Sequence, residues 1–203
     1  HAAMISRLDR DVGRLLDLLD ELSLSEKTVV FFCSDNGAAE RWEGRFDSSG
    51  PLRGRKRDLA EGGLRVPMIA RWKGTIPADR VSEEPWWFAD VLPTFAHLAG
   101  ERARCPEGLD GIDVWPALAG EQLAQRDRHF YWEFHERGFQ QAVRWRNWKA
   151  IRAGTGNPLR LHDLDADPGE ATDVAGAHPD MVETMRKLMD GSRTESREWP
   201  VRR

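Results

Sequence analysis

The stretch Thr28-Val29-Val30-Phe31-Phe32-Cys33-Ser34-Asp35-Asn36-Gly37 decides the fold of this chain. Its first seven residues are mostly β-branched, aromatic or otherwise apolar, a composition typical of a buried strand, and Cys33 within it is expected to be a buried thiol. Asp35 and Asn36 follow at the carboxyl end of that strand, and this is the edge at which open α/β sheets bind ligands. The stretch therefore predicts an α/β fold with a polar site directly after the strand.

Helical and strand-like segments alternate on either side of this strand. Apolar residues recur at helical spacing in the preceding segment, at Met4, Ile5, Leu8, Val12, Leu15, Leu16, Leu19 and Leu22. After a polar connection over residues 38–63, residues 66–72 are predicted to form a second strand. Residues 84–100 are predicted to form a helix that Pro93 kinks or divides. This order is typical of a doubly wound α/β sheet.

The second half of the chain has a different pattern. Short apolar runs at 129–134, 140–145, 148–152 and 159–164, separated by turn residues, predict a small antiparallel sheet. A final helix is predicted over about 179–189, and the charged tail from Ser192 is expected to fray. The apolar-poor segment 121–128 predicts a boundary between an α/β part, residues 1–125, and a small α+β subdomain, residues 126–203.

The composition excludes some classes of partner. The 203 residues carry a net charge of −4, so no global basic field attracts nucleic acid, and no apolar run is long enough to predict a membrane span. Nine Trp indicate aromatic packing in the second half, with a sugar-stacking wall as the alternative. The chain begins at His1 and opens directly into a helix, so we expect a fragment whose compartment cannot be read from a signal segment.

Three polar segments are candidates for chemistry. Asp35 and Asn36 offer hard oxygen ligands suited to Ca²⁺ or Mg²⁺, although Asn-Gly is also a common turn pair. The loop 53–57, Arg-Gly-Arg-Lys-Arg, suits an anion because glycine lets backbone N–H groups approach it, and the alternative is a solvated basic loop. The run 163–167 resembles the start of a calcium loop but has Pro168 where glycine is required, so we interpret it as a turn.

The order of these motifs resembles that of a known family. Besides 28–37, the matching stretches are 7–16 (RLDRDVGRLL), 52–56 (LRGRK), 61–67 (EGGLRVP), 141–144 (QAVR), 147–149 (NWK) and 161–170 (LHDLDADPGE). On these stretches the chain resembles the carboxyl-terminal half of the sulfatases, arylsulfatase-like members of the alkaline-phosphatase-like superfamily. The resemblance covers nearly the whole chain and implies part of a doubly wound sheet, then a small antiparallel sheet with a C-terminal helix.

The resemblance also implies roles for particular residues. Asp35 and Asn36 match the pair that binds Ca²⁺ beside the sulfate in sulfatases, and Lys56 matches the lysine that contacts the sulfate. Arg55 departs from the usual glycine. The family's formylglycine nucleophile belongs to the amino-terminal half, so this chain alone is expected to be inactive. Residues 49–53 fit the nucleophile motif by letter, but the register set by Lys56 makes that match a coincidence.

A second group of polar residues opens the small carboxyl-terminal subdomain. In the family this subdomain borders the substrate pocket, and Glu133, His135, Glu136 and Gln140 are candidates for hydrogen bonds to a sugar. The alternative is a polar β-edge.

The expected function is hydrolysis of sulfate esters of a carbohydrate or aryl compound by the full-length enzyme. A phosphodiesterase or phosphonate hydrolase of the same superfamily is one alternative, because a shared fold does not decide the reaction. A noncatalytic carbohydrate-binding module is another, favoured by the Trp content. The resemblance implies a periplasmic or secreted protein, and an exposed sheet edge creates a risk of self-association.

Overall fold

A computed structural model describes residues 1–39, 45–125, 127–136 and 138–201 of the chain. The helices in these ranges are α1 (Ala2–Glu21), α2 (Glu61–Leu64), α3 (Val91–Leu98), α4 (Trp115–Ala119) and α5 (Pro179–Ser192). The strands are β1 (Val30–Cys33), β2 (Met68–Arg71), β3 (His129–Phe134), β4 (Gln140–Trp145), β5 (Trp148–Ala153) and β6 (Arg160–Asp163). Part of the predicted connection between β1 and β2, residues 40–44, lies outside the described residues.

The chain divides into two compact units. The first consists of His1–Phe32 and Met68–Ala124, and the second consists of Cys33–Pro67 and the chain from Gln125 onward. The connection that carries the candidate residues after β1 therefore groups with the carboxyl-terminal sheet. The division into residues 1–125 and 126–203 stays a prediction.

Helix α1 is amphipathic, as its apolar spacing predicts, but its apolar face is not covered. None of its residues is buried, and Met4 and Leu15 are 69% and 63% exposed. The helix forms because its apolar and charged residues segregate at a 3.6-residue period, which is a local property of the sequence. Within the described residues, every helix is too short or too polar to cross a bilayer.

Strands β1 and β2 form a two-stranded sheet and are shorter than the apolar runs that predicted them. Residues Val30–Phe32 are only half-buried, and Cys33 is exposed. The prediction that Cys33 is a buried thiol is therefore wrong, because the end of β1 that carries Cys33 is exposed to solvent.

The helix predicted over 84–100 is shorter than expected. A 3-10 turn, Phe88–Asp90, precedes α3, and Pro93 lies in the first turn of α3. Proline is tolerated there because the first-turn N–H groups have no partner within the helix, so no kink is needed. The buried carboxylate of Asp90 accepts N–H groups from Trp87 at 3.0 Å and from Ile112 at 2.8 Å, which fixes the start of the helix.

The second unit is built on the antiparallel sheet that four apolar runs predicted. Its strand order is β3-β4-β5-β6, with each strand hydrogen-bonded to its sequence neighbour. One face carries a cross-strand row in which Ala150 pairs with both Val143 and Leu161. Met185 and Met189 of α5 are fully buried in the same core cluster as this row. Burial of this apolar stripe is the main driving force that holds α5 on the sheet.

The opposite face of the same sheet carries a basic row. Lys149 pairs with Arg144 on β4 and with His162 on β6, so three basic residues are cross-strand neighbours. Like charges in direct opposition destabilise a sheet unless other groups compensate them. The positive charge of this row is compensated by acidic side chains, which are described with the candidate site below.

Candidate functional site

The two loops that the sequence selected lie side by side. The backbone N–H of Lys56 donates to the carbonyl oxygen of Ala38 at 2.8 Å, and the N–H of Gly37 donates to the carbonyl oxygen of Gly63 at 3.1 Å. The segment after β1, with Asp35 and Asn36, is therefore hydrogen-bonded to the Lys56 loop on one side and to α2 on the other.

Close backbone packing explains the glycines of these motifs. A Cβ on Gly37 would collide with the carbonyl oxygen of Gly62, and a Cβ on Gly63 would collide with that of Asp58. A Cβ on Gly62 would lie 2.5 Å from the carbonyl oxygen of Gly54. Glycine is required at these positions because backbones approach each other there, which is one established use of the residue.

Lys56 occupies a tight turn. The N–H of Asp58 donates to the carbonyl oxygen of Arg55 at 2.8 Å, which closes a β-turn with Lys56 and Arg57 at its centre. Arg57 has φ +77°, in the left-handed region that the third residue of a type II turn requires and glycine usually fills. Its side chain is ion-paired with Glu136 at 2.5 Å. A non-glycine residue held in this conformation marks a locally strained turn beside the candidate lysine.

The side chains of Asp35 and Asn36 remain accessible. Asp35 is exposed, and Asn36 is half-buried with its NH₂ group donating to the carbonyl oxygen of Gly37 at 3.3 Å. This contact leaves the side-chain oxygen of Asn36 as a donor atom for a cation. Two oxygens are fewer than the six to eight that Ca²⁺ takes. Asp35 and Asn36 can therefore supply only part of a calcium site, and no group of three or more His, Cys, Asp or Glu in the described ranges could hold a metal ion.

A buried charge cluster connects α2 and the start of the Lys56 loop to the sheet. The ammonium nitrogen of Lys149, which is fully buried, lies 2.7 Å from Glu61 Oε1 and 3.1 Å from Glu170 Oε1. Arg144 lies 3.4 Å from the other Glu61 oxygen, and Glu170 accepts the backbone N–H of Glu61 at 2.7 Å. Arg53, at the start of the loop, lies 3.7 Å from Glu170 Oε1. These contacts compensate the basic row and fix α2 on the sheet.

Sequence reasoning missed this cluster. Glu61, Lys149 and Glu170 lie within matched motif stretches, but nothing in the linear pattern distinguishes them from surface charges. The signal that identifies them is the strand register, which places Arg144, Lys149 and His162 in one row.

His162 completes the buried row in its neutral form. Burial lowers the pKa of the His162 imidazole below its ordinary value. Its Nδ1 donates to the carbonyl oxygen of Thr172 at 2.7 Å, while Nε2 is buried with no hydrogen-bond partner among the described residues. Because the pKa lies below its ordinary value, the folded imidazole is neutral at pH 7, and protonation at lower pH would add a third cation beside Lys149 and Arg144.

This arrangement predicts how stability depends on pH. Because the folded pKa of His162 is lowered, its contribution is fully present above about pH 6.5, the unfolded value, and is lost as pH falls toward the folded value. We expect His162→Gln, which keeps an N–H donor for Thr172, to flatten the decline in the free energy of unfolding below pH 6.5 by up to about 1.4 kcal/mol per pH unit. Urea titrations of both proteins between pH 5 and 7.5 measure this, and parallel curves would refute it.

The four candidate sugar-binding residues fall into two pairs. Glu133 accepts the Tyr131 hydroxyl at 2.5 Å, and its carboxylate lies 3.2 Å from His135 Nε2 and 3.0 Å from Arg193. Burial, together with the hydrogen bond to Glu133, raises the pKa of the Tyr131 hydroxyl, so it stays protonated as a donor. Glu133 and His135 thus belong to an internal network.

The other pair meets the Lys56 loop. Glu136 holds Arg57, as described above. Gln140 lines a cavity of about 440 Å³ together with Arg53, Arg55, Asp58 and Ile151, among others. Glu136 therefore joins the small sheet to the Lys56 loop, and Gln140 shares a cavity with residues of that loop, within one compact unit.

Known proteins match this chain over most of its length. The Sulfatase family model matches residues 1–101, and the model for the C-terminal region of N-sulphoglucosamine sulphohydrolase matches residues 55–196. Steryl-sulfatase of Mus musculus is 40% identical over 92% of this chain and 35% of its own length. Arylsulfatase A of Homo sapiens is 34% identical over 91% of this chain and 41% of its own length. The solved structure of Ps i-CgsB in complex with k-i-k-neocarrahexaose is 30% identical, with a TM-score of 0.82 over 99% of this chain and 44% of that one.

The chain belongs to the sulfatase family. It spans between 35% and 44% of the length of the three relatives above. The predicted fold class is confirmed, namely part of an alkaline-phosphatase-like α/β domain followed by an antiparallel four-stranded sheet and a C-terminal helix. The roles of Asp35, Asn36, Lys56, Glu133, His135, Glu136 and Gln140 stay predictions.

Proposed function

We propose that this chain is the carboxyl-terminal part of a sulfuric ester hydrolase that acts on a sulfated glycan or aryl compound. The observation that carries the proposal is the hydrogen bond between the Lys56 N–H and the Ala38 carbonyl oxygen. It joins the segment with Asp35 and Asn36, which suits a cation, to the Lys56 loop, which suits an anion. A sulfate ester needs both kinds of group, because negative charge grows on its oxygens as the ester bond breaks.

In this proposal Asp35 and Asn36 hold a Ca²⁺ ion, with Mg²⁺ as the alternative, together with ligands from outside this chain. When held there, such a cation would supply Lewis-acid stabilisation of the negative charge that develops on the sulfate. Lys56 binds the same sulfate with its ammonium group. The turn that contains Lys56 is fixed by the ion pair between Arg57 and Glu136, and it orients the lysine side chain. The formylglycine nucleophile belongs to an amino-terminal segment that the chain does not include, so the chain by itself is expected to be inactive.

The small sheet contributes substrate contacts in this proposal. The ion pair of Glu136 with Arg57, and the position of Gln140 on the cavity that Arg53 and Arg55 also line, support contacts of Glu136 and Gln140 with the organic part of the ester. Glu133 and His135 support these two residues and do not contact the substrate in this proposal. Their polar atoms already bind Tyr131, Arg193 and each other. Self-association through exposed surface and a periplasmic or secreted location also stay predictions.

Replacing a metal ligand tests the proposal directly. We expect Asp35→Ala to weaken Ca²⁺ binding roughly tenfold or more, since even an outer-sphere partner of a bound metal is worth that much. Calcium affinity is measured by calorimetry, and hydrolysis of a sulfate ester with and without Ca²⁺ is measured, in the complete enzyme that contains this chain. A matched phosphate ester in the same assay separates a sulfatase from a phosphodiesterase.

The control is Asp165→Ala, at an exposed position of the turn that resembles a calcium loop only in its first residues. It should leave both calcium affinity and turnover unchanged. Equal calcium affinity of Asp35→Ala and the unmodified enzyme would remove Asp35 from the site.

A further inference from the structure

The segment that follows α5 folds back onto the small sheet instead of ending in solvent. Arg193 is only 11% exposed at its side chain, lies 3.0 Å from Glu133 Oε1, and approaches the carbonyl oxygen of Trp199 at 3.5 Å. The N–H of Trp199 meets the hydroxyl of Ser196 at 3.2 Å. The tail expected to fray is thus held by specific contacts as far as Trp199.

These contacts place the indole of Trp199 against a cluster of tilted aromatic rings, His135 and Phe139. The ring of Trp199 packs against His135 with centroids 5.6 Å apart, and His135 packs against Phe139 at 5.0 Å. His135 is itself fixed by its contact with Glu133 at 3.2 Å. Even so, Trp199 is 60% exposed, so an ordered indole presents much of its surface to solvent.

This aromatic cluster adjoins the turn that carries Lys56. His135 directly precedes Glu136, which is ion-paired with Arg57, and Arg57 directly follows Lys56. All of these residues belong to the second compact unit. Trp199 is therefore linked to the turn that carries Lys56 through His135, Glu136 and Arg57.

We propose that Trp199, backed by His135, is a stacking platform for a pyranose ring of a sulfated glycan, an inference that rests on the proposed function. An open, one-sided aromatic surface suits a ring with one apolar face and hydroxyl groups that stay hydrated, because the polar edge of the sugar loses no water. A steroid or aryl group would instead require an enclosing apolar pocket. The side chains beside Trp199 are charged: Arg193 is ion-paired with Glu133 and with Glu195, which is 82% exposed.

Titration of this chain with a sulfated neocarrahexaose, its desulfated counterpart and an aryl sulfate tests the platform. Loss of aromatic stacking in Trp199→Leu is expected to weaken the binding of both hexasaccharides by about three- to tenfold. The affinity of Trp199→Phe should lie between those of Trp199→Leu and the unmodified chain. Aryl sulfate binding should not change. Phe88→Leu is the matched control, since Phe88 is 53% exposed and belongs to the other compact unit.

Two results would overturn the platform: equal hexasaccharide affinity in Trp199→Leu and the unmodified chain, or no hexasaccharide binding by the unmodified chain. Thermal unfolding checks that Trp199→Leu remains folded. Lys56→Met separates the two proposals, because it should abolish the preference for the sulfated over the desulfated hexasaccharide and leave the Trp199-dependent part intact. If that preference survives in Lys56→Met, the role of Lys56 fails while the platform stands.

Discussion

Replacing Lys149 with methionine is expected to lower the free energy of unfolding by about 3–5 kcal/mol. The substitution keeps the length of the side chain but removes the cation between Glu61 and Glu170, both of which are buried. Removing one partner of a buried ion pair is costly because the remaining carboxylates are shielded from water and have lost their nearest counterion. The Lys56 loop is linked to this cluster, since the Arg53 side chain at its start lies 3.7 Å from Glu170 and the Arg53 carbonyl oxygen accepts the N–H of Gly62 of α2 at 2.8 Å.

Chemical denaturation followed by tryptophan fluorescence measures this loss. Lys187→Met is the matched control, because Lys187 is 70% exposed and lies one helical turn from Glu183, so its loss should cost under about 0.5 kcal/mol. Adding Glu170→Gln to Lys149→Met should recover part of the stability by removing a buried carboxylate that has lost its nearer cation and keeps only Arg53 at 3.7 Å. A loss below about 1 kcal/mol for Lys149→Met would contradict the role assigned to the cluster.

Replacing Lys56 with methionine should lower kcat/KM for a sulfate ester by about 10²–10³ in the complete enzyme. This is the range found when one preorganised donor to a developing anion is removed. Stability should change little, because the described residues show no partner for the Lys56 ammonium and only its backbone N–H joins the fold. Lys56→Arg should retain part of the activity, since it keeps the charge but alters the geometry.

Steady-state kinetics with parallel thermal unfolding separates the chemical effect from a folding defect. Lys73→Met is the control, as Lys73 is an exposed lysine of the first unit that pairs with Asp20 at 2.9 Å. Turnover of Lys56→Met equal to that of the Lys73 variant would exclude Lys56 from sulfate binding.

Local patterning accounts for what the sequence alone determined. The 3.6-residue period of α1, the four apolar runs of the small sheet and the helix starting at Pro179 all appear where the pattern predicted them. Asp35, Asn36 and Lys56 could be selected as candidates from the sequence because their motifs are contiguous in the chain, and their roles stay predictions. The errors in extent, such as the helix over 84–100, arose where proline was assigned to a helix interior although it lies in a first turn.

Tertiary structure alone decided which charged and aromatic residues act together. Glu61 and Lys149 are 88 residues apart, and Arg57 and Glu136 are 79 apart. A lysine in an alternating strand pattern looks the same whether its face is solvated or covered, and only the strand register and the packing of α2 show that Lys149 is buried. Likewise, no local sequence pattern predicts the contact between Trp199 and His135, because that contact forms only when the chain reverses direction after α5.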